Sequence, residues 1–438
     1  MSKMRDHKAP LILLALNEIN FDVVSEYLKH GSYPSFRKLM TGKFITTSSE
    51  AEYEYLEPWI QWPSIYNGQV ASAHRLFRLG DSVDSSVPQL FESLENQGLK
   101  VGCISPMNAA NRMENPLYFI PDPWTQTASD TSWWSRLITQ VVSQAVNDNA
   151  QQKLTVRSAC ALLLIFLRFA KLRRYARYLK LAFCSWRAPW RKALFLDLLL
   201  HDVHLALFSR RRPDFSTLFM NAGAHIQHHY LFNSLAKNDA KLANPEWYIS
   251  SRVDPFREML DIYDHILEDV VDQQSFEYIV ATGLSQVPYD HMQCYYRLKN
   301  HAEFLCLVGI KNFAVFPRMT RDFLIEFDST ADALAAQDLL SSVRTSDESV
   351  PIFAEIDNRG TSLFVTLTYS AKITSQSSIV VSDTRLPLLQ HVVFVAIKNG
   401  MHVGRGFAAY STGTRDFAPT SGAHVASIHG AILAYFEA

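Results

Sequence analysis

The stretch "FSTLFMNAGAHIQHHY", residues 215–230, joins two kinds of sequence. Its first six residues carry no charge and read as a strand covered on both faces of a sheet. The remainder opens on Asn221 and sets His225, His228 and His229 within five positions. A strand that ends in chemically able residues and runs on into a helix is the unit of a parallel α/β sheet. In such sheets, sites collect outside the carboxyl ends of the strands. Whether these histidines form half of a metal site or a loop rich in histidine depends on what other strand ends bring to them.

Working outward, "LILLAL" (11–16) is a second uncharged strand, followed by a helix in "FDVVSEYLKHG" that ends near Gly31. "KFITTSS" (43–49) is a third strand. "EPWIQWPSIYNG" (57–68) reads as a helix with Glu57 at the N-cap, Pro58 at the first position and Gly68 just past the end. Pro63 predicts that it is short or kinked. Further strands fall at "KVGCIS" (100–105), "FEYIVATGLSQ" (276–286) and "HVVFVAIKNGMHVGRGFAAYS" (391–411), and helices at 254–271 and the C-terminus. The alternation predicts a doubly wound, mostly parallel α/β sheet assembled from 1–124, 213–294 and 391–438. Two insertions interrupt it: basic helices at 125–212, expected as a cap, and a small α+β unit at 295–390.

At 438 residues the chain is long for one compact core. Hydrophobic residues at 48% against 19% charged fit a globular domain that buries a core. A net charge of −1 gives no whole-protein field that would select nucleic acid. Five cysteines lie far apart with no C-x-x-C pair, which points to a reducing, cytoplasmic setting. The start resembles a signal peptide, but "APLILLAL" is short, has no small-residue cleavage site and reads as a strand. The charge of the first insertion is uneven. No acid occurs from 149 to 196, while eleven basic residues lie between Lys153 and Lys192, interleaved with apolar and aromatic ones. The segment 153–192 therefore reads as a solvated or acid-facing surface, or as a peripheral membrane contact.

The chemical residues share one address. Asn17 and Glu18 follow "LILLAL", Glu57 lies beyond the strand at 43–49, Asn221 and His225 follow "STLFM", Ser285 and Gln286 lie beyond "YIVA", and His402 follows "HVVFVAIKNGM". In this order the chain resembles the alkaline phosphatase superfamily, above all its type I phosphodiesterase/nucleotide pyrophosphatase branch. "LLALNEINFD" is similar to the first strand and its metal ligand. Ser64-Ile65-Tyr66-Asn67-Gly68 resembles the S-I-x-T-G that ends the nucleophile helix. "NAGAH" resembles D-x-x-x-H, "VATGLSQ" stands in the place of D-H-G, and "NGMHVGRG" resembles the stretch with the final histidine. The likeness covers roughly 10–125, 215–290 and 391–438, and neither insertion.

The departures bear on function. Asn17 or Glu18 stands for the first aspartate, Glu57-Pro58 for the nucleophile, and Gly283-Leu284 for the D-H pair. The resemblance implies two metals, and these replacements predict that the second site is lost. What remains implies one divalent ion, zinc first and manganese second, on His225, His402 and Asn221, with Glu57 and Glu18 either supplying a carboxylate ligand or acting as acid/base residues. Asn17, Ser285, Gln286, Arg318 and Arg321 are the candidate substrate contacts. The plainer reading of both arginines is a surface or ion-pair role. His228 and His229 fall in a following helical turn, where at most one can face the site, and both are read as structural. Asp264 and His265 are read as helix-surface residues.

The expected function is metal-dependent hydrolysis or group transfer on a small phosphate or sulfate ester. The alternative is a non-catalytic protein of the same fold that binds a ligand or partner. A role in making surface polysaccharide or lipid rests on the basic helices alone.

Overall fold

The computed structural model describes residues 8–147, 155–183, 185–236, 242–318, 321–381 and 384–438. Lys153, within the segment expected to meet a membrane, lies outside them. The chain divides into two compact units, one of 1–288 with 400–438 and the other of 289–399.

The first unit is built on strands β1 (Leu11–Leu16), β2 (Lys43–Ser48), β3 (Val101–Ile104), β4 (Tyr118–Ile120), β5 (Phe215–Met220) and β6 (Glu277–Ala281). The chain leaves along β7 (Ser285–Leu298), returns along β8 (Val392–Val403) and completes the sheet with β9 (Arg405–Tyr410). The seven strands of the sheet stand in the order β2-β9-β6-β1-β5-β3-β4. β1 pairs in parallel with β5 on one side and β6 on the other, so Leu14 lies between Leu218 and Val280. β9 runs antiparallel to both its neighbours, β2 and β6. The sheet is thus mostly parallel, as the uncharged strands predict.

Every β1 side chain is buried, and alternate ones serve opposite faces. The helices that cover those faces are α1 (Phe21–Leu28), α2 (Pro34–Thr41), α3 (Pro58–Asn67), α4 (Leu90–Asn96), α5 (Trp133–Asn147), α6 (Val156–Phe169), α7 (Tyr175–Ala182), α8 (Trp190–Arg211), α9 (Ala222–Tyr230), α10 (Pro255–Val271) and α11 (Ser427–Glu437). Ile12, Leu14 and Leu16 join a core that includes Leu198, Ile226 and Leu260, from α8, α9 and α10. Leu11, Leu13 and Ala15 join one that includes Trp62, Ile65, Leu94 and Ile432, from α3, α4 and α11. This is the doubly wound arrangement, with helices on both faces.

Two expectations change. The stretch 125–212 is helical, but α8 packs on β3, β5, α9 and α10 as part of the core layer, not as a separate cap. Its buried Leu194, Leu198 and Val203 are the reason. Asp264 is not a surface residue: it accepts the backbone N–H groups of Ser35 and Phe36, both at 3.0 Å, at the start of α2.

The second unit contains the expected α+β insertion. Phe313–Pro317, Asp322–Phe327, Glu355–Asn358 and Ser362–Thr366 form an antiparallel sheet. The helix Thr330–Ser342 lies on it through Ala333, Ala336 and Leu340.

Candidate metal centre

The loop after β1 positions the first ligand. Glu18 is buried and sits at φ 62, in the left-handed region that a non-glycine residue seldom occupies. Such backbone costs on the order of 1–3 kcal/mol and persists only where the surroundings hold it. Here they do. The Glu18 N–H donates to Thr282 O at 3.0 Å, and the Glu18 carbonyl accepts from Gln227 Nε2 at 2.8 Å. Asn20 caps α1 and donates to Gln286 O at 2.8 Å, tying the same loop to the start of β7.

The Glu18 carboxylate is the hub. Its Oε1 accepts from Asn17 Nδ2 at 2.9 Å, and its Oε2 accepts from Gln286 Nε2. The same Oε2 stands 3.0 Å from His402 Nε2 and 3.1 Å from His228 Nε2, while the two imidazole nitrogens are 3.3 Å apart. Burial alone would raise the Glu18 pKa, but the charges of His402 and His228 hold it well below the usual carboxylate range. His402 is the mirror case. Burial opposes its charge, yet Glu18 and then Glu57 hold its pKa up at about 9.

Glu57 stands at the N-cap of α3, half-buried, with Oε2 3.5 Å from His402 Nδ1. Gly68 at φ 68 ends α3 in the left-handed turn expected of it. Pro63 is accommodated inside this ten-residue helix. Asn17 also knits the site. Its Oδ1 accepts from Trp62 Nε1 at 2.7 Å and its Nδ2 donates to Asn221 Oδ1 at 2.8 Å. Trp62 is therefore a hydrogen-bond donor to the site as well as core packing.

The histidines differ from expectation. α9 turns His228 toward Glu18, and His225 is not in the cluster. Residues 224, 227 and 228 share the face of α9 that meets the β1 loop: Ala224 O accepts from Gln286, Gln227 binds the Glu18 carbonyl, and His228 meets its carboxylate. His225 and His229, four apart, face elsewhere with ring centroids 4.8 Å apart. Burial, then the charge of His228, lowers the His225 pKa to about 4 and keeps the ring neutral. Asn221 reaches the site only through Asn17. Ser285 donates to Arg405 O at 2.5 Å, and so supports the strand rather than the cluster. Arg318 and Arg321 belong to the second unit. There Arg318 is exposed, and Arg321 lies 4.4 Å from the centre of the Tyr295 ring.

Sequence reasoning missed Gln227 and Glu50. No local signal marks Gln227, since neighbouring positions on a helix lie about 100° apart and only the setting of α9 brings both Gln227 and His228 to Glu18. Glu50 accepts from Ala71 N at 2.8 Å and lies 3.3 Å from His424 Nε2. Burial opposes its charge, but hydrogen bonds from His424 and the Ala71 N–H hold its pKa at about 2.

The donor set fits one ion. Ligands about 2.1 Å from a metal stand roughly 3.0–3.4 Å apart, which is the spacing of these three atoms. Among the described residues no second such group forms.

No protein-family model and no curated protein matches the sequence. Among solved structures, the chain is similar to phosphonoacetate hydrolase from Sinorhizobium meliloti 1021, at 10% identity over 98% of this chain and 96% of that one, with a TM-score of 0.42. It is similar to human ectonucleotide pyrophosphatase/phosphodiesterase 5, at 9% identity over 98% and 95%, TM-score 0.45. Alkaline phosphatase from the Antarctic bacterium TAB5 gives 10% identity over 99% of both chains, TM-score 0.40.

Proposed function

We propose that this protein is a metal-dependent hydrolase or group transferase acting on a small phosphate or sulfate ester, with one divalent ion held by Glu18, His228 and His402. The observation that carries this reading is the convergence of one carboxylate oxygen and two imidazole nitrogens, 3.0–3.3 Å apart, at the carboxyl edge of the sheet. Two imidazoles and a carboxylate suit zinc first and manganese second. A bound ion would supply Lewis acidity toward an ester oxygen. The other work falls to the chain. Asn17 and Gln286 fix the Glu18 carboxylate. Glu57, at the N-terminus of α3 and 3.5 Å from His402, is the candidate general base toward water or an attacking hydroxyl. A cytoplasmic location fits the free thiols of Cys103, Cys160, Cys294 and Cys306.

One observation favours a second reading, a non-catalytic binding protein of this fold. α3 opens on Glu57 and Pro58, with no hydroxyl where the resemblance places a nucleophile. Elemental mass spectrometry of tag-free protein separates the two. About one zinc or manganese per chain, lost in the His228→Ala/His402→Ala variant, supports the enzyme reading. A screen of phosphate and sulfate esters then follows, in which Glu57→Gln keeps the metal and loses turnover. Absence of metal in wild type after reconstitution overturns the enzyme reading and favours the binding protein.

A further inference from the structure

α6 buries Ser158, Ala161, Ile165 and Phe169 on one side. Its other side shows Val156, Leu163, Leu164 and Leu167 to solvent, each at least half exposed. The chain then exposes Leu172, Leu179, Phe183 and Trp186 to the same degree. A surface helix ordinarily turns a polar face to water, and exposed apolar side chains concentrated in one short segment mark a contact surface.

Two sets stand out among the basic residues of the segment. Lys171, Arg173 and Arg174 pair with Asp269, and Arg191 pairs with Glu258, so these are tied into the fold. Arg157, Arg168, Lys180 and Arg187 are exposed among the apolar side chains. The Arg187 guanidinium lies 4.3 Å from the centre of the Trp186 ring. Such a pair suits a boundary that is wet on one side and apolar on the other.

We propose that this face of α6 and α7 and the segment after them binds the surface of an anionic lipid bilayer. The leucines, Phe183 and Trp186 enter the interfacial zone, and the exposed basic groups lie among the headgroup phosphates. Charge decides for a lipid surface over a second copy of the chain. No acid occurs from 149 to 196, so two copies face to face would oppose like charges. The contact is peripheral: among the described residues no helix is long and apolar enough to cross a membrane. The proposal is independent of the reaction proposed above.

The test is co-sedimentation of the full chain with phosphatidylcholine vesicles, alone or with about one quarter phosphatidylglycerol. Binding is expected to the anionic vesicles and to weaken with salt. Leu163→Ser/Leu167→Ser and Arg168→Gln/Arg187→Gln should each reduce it about tenfold or more. All four side chains are exposed, so unchanged thermal melting is expected of both variants. If the leucine variant fails to fold, the arginine variant carries the test alone. Binding to neither vesicle, equal binding to both, or undiminished binding by the arginine variant overturns the proposal. A dimer that the leucine variant abolishes, without vesicle binding, would assign the face to a second copy instead.

Discussion

At the scale of single residues, the site turns on Glu18. Its side chain is surrounded by Asn17, Gln286, His228 and His402, and its backbone takes a conformation that this loop alone would not choose. His228→Ala is expected to abolish metal retention while His225→Ala keeps it, as measured by metal content after dialysis. Equal loss in both would put the ligand on the wrong face of α9. Gln286→Leu removes a donor to Glu18 without touching a ligand. It should weaken metal affinity by about 10–100-fold, the usual effect of an outer partner, and a competition titration with a chelator reads this. Glu18 and His402 were legible in the sequence because each follows an apolar strand. His228 was not, because the face that a helix presents depends on how the helix is set against its neighbours.

At the scale of elements, that setting comes from a distance. Asp197 on α8 accepts from Ala222 N at 2.8 Å and from Tyr263 Oη at 2.6 Å, so it caps α9 and holds it to α10. Burial raises the Asp197 pKa to about 6. The same helices carry a second network. Arg174, only 2% exposed in its side chain, lies between Asp202 and Asp269. Removing it takes the paired cation from the buried Asp202, while Asp269 keeps Lys171 and Arg173, so Arg174→Ala should destabilise the fold by about 3–5 kcal/mol. A denaturant midpoint close to that of wild type would count against this. Burial alone would raise the Asp269 pKa, but the hydrogen bond from His201 and the charge of Arg174 hold it far below its ordinary value. His201 is itself held neutral by burial. A carboxyl whose folded pKa is depressed contributes stability that is complete above the unfolded value, about 3.9, and is lost as pH falls below it. Asp197 has the opposite sign: its share is present at low pH and lost as pH rises from about 4 through its raised value. Melting of Asp269→Asn followed from neutral pH down to about pH 2 should therefore lose less stability than wild type. Equal slopes would mean that other carboxyls govern acid unfolding.

At the scale of the whole molecule, binding should report on folding. An ion that binds only the folded chain stabilises it by about 2.7 kcal/mol at a hundredfold excess over Kd. Zinc should raise the melting temperature of wild type and leave His228→Ala/His402→Ala unmoved. The core sets the other limit: Leu14, buried between β5 and β6, should cost about 2–5 kcal/mol when cut to alanine. The sequence by itself determined the sheet. Uncharged runs at 11–16 and 215–220 can be satisfied only between two layers of helices, and that burial is written in composition and period. It also determined that polar residues gather at one edge, since they follow those runs in the chain. Only the tertiary structure decided which of them meet. Glu18, His228 and His402 are far apart in sequence, and their contact depends on strand order, on the cap that Asp197 sets on α9, and on a strained loop held by Gln227 and Thr282. Likewise the sequence showed a basic apolar segment, but which arginines are spent on Asp269 and which face solvent depends on packing that no local pattern encodes.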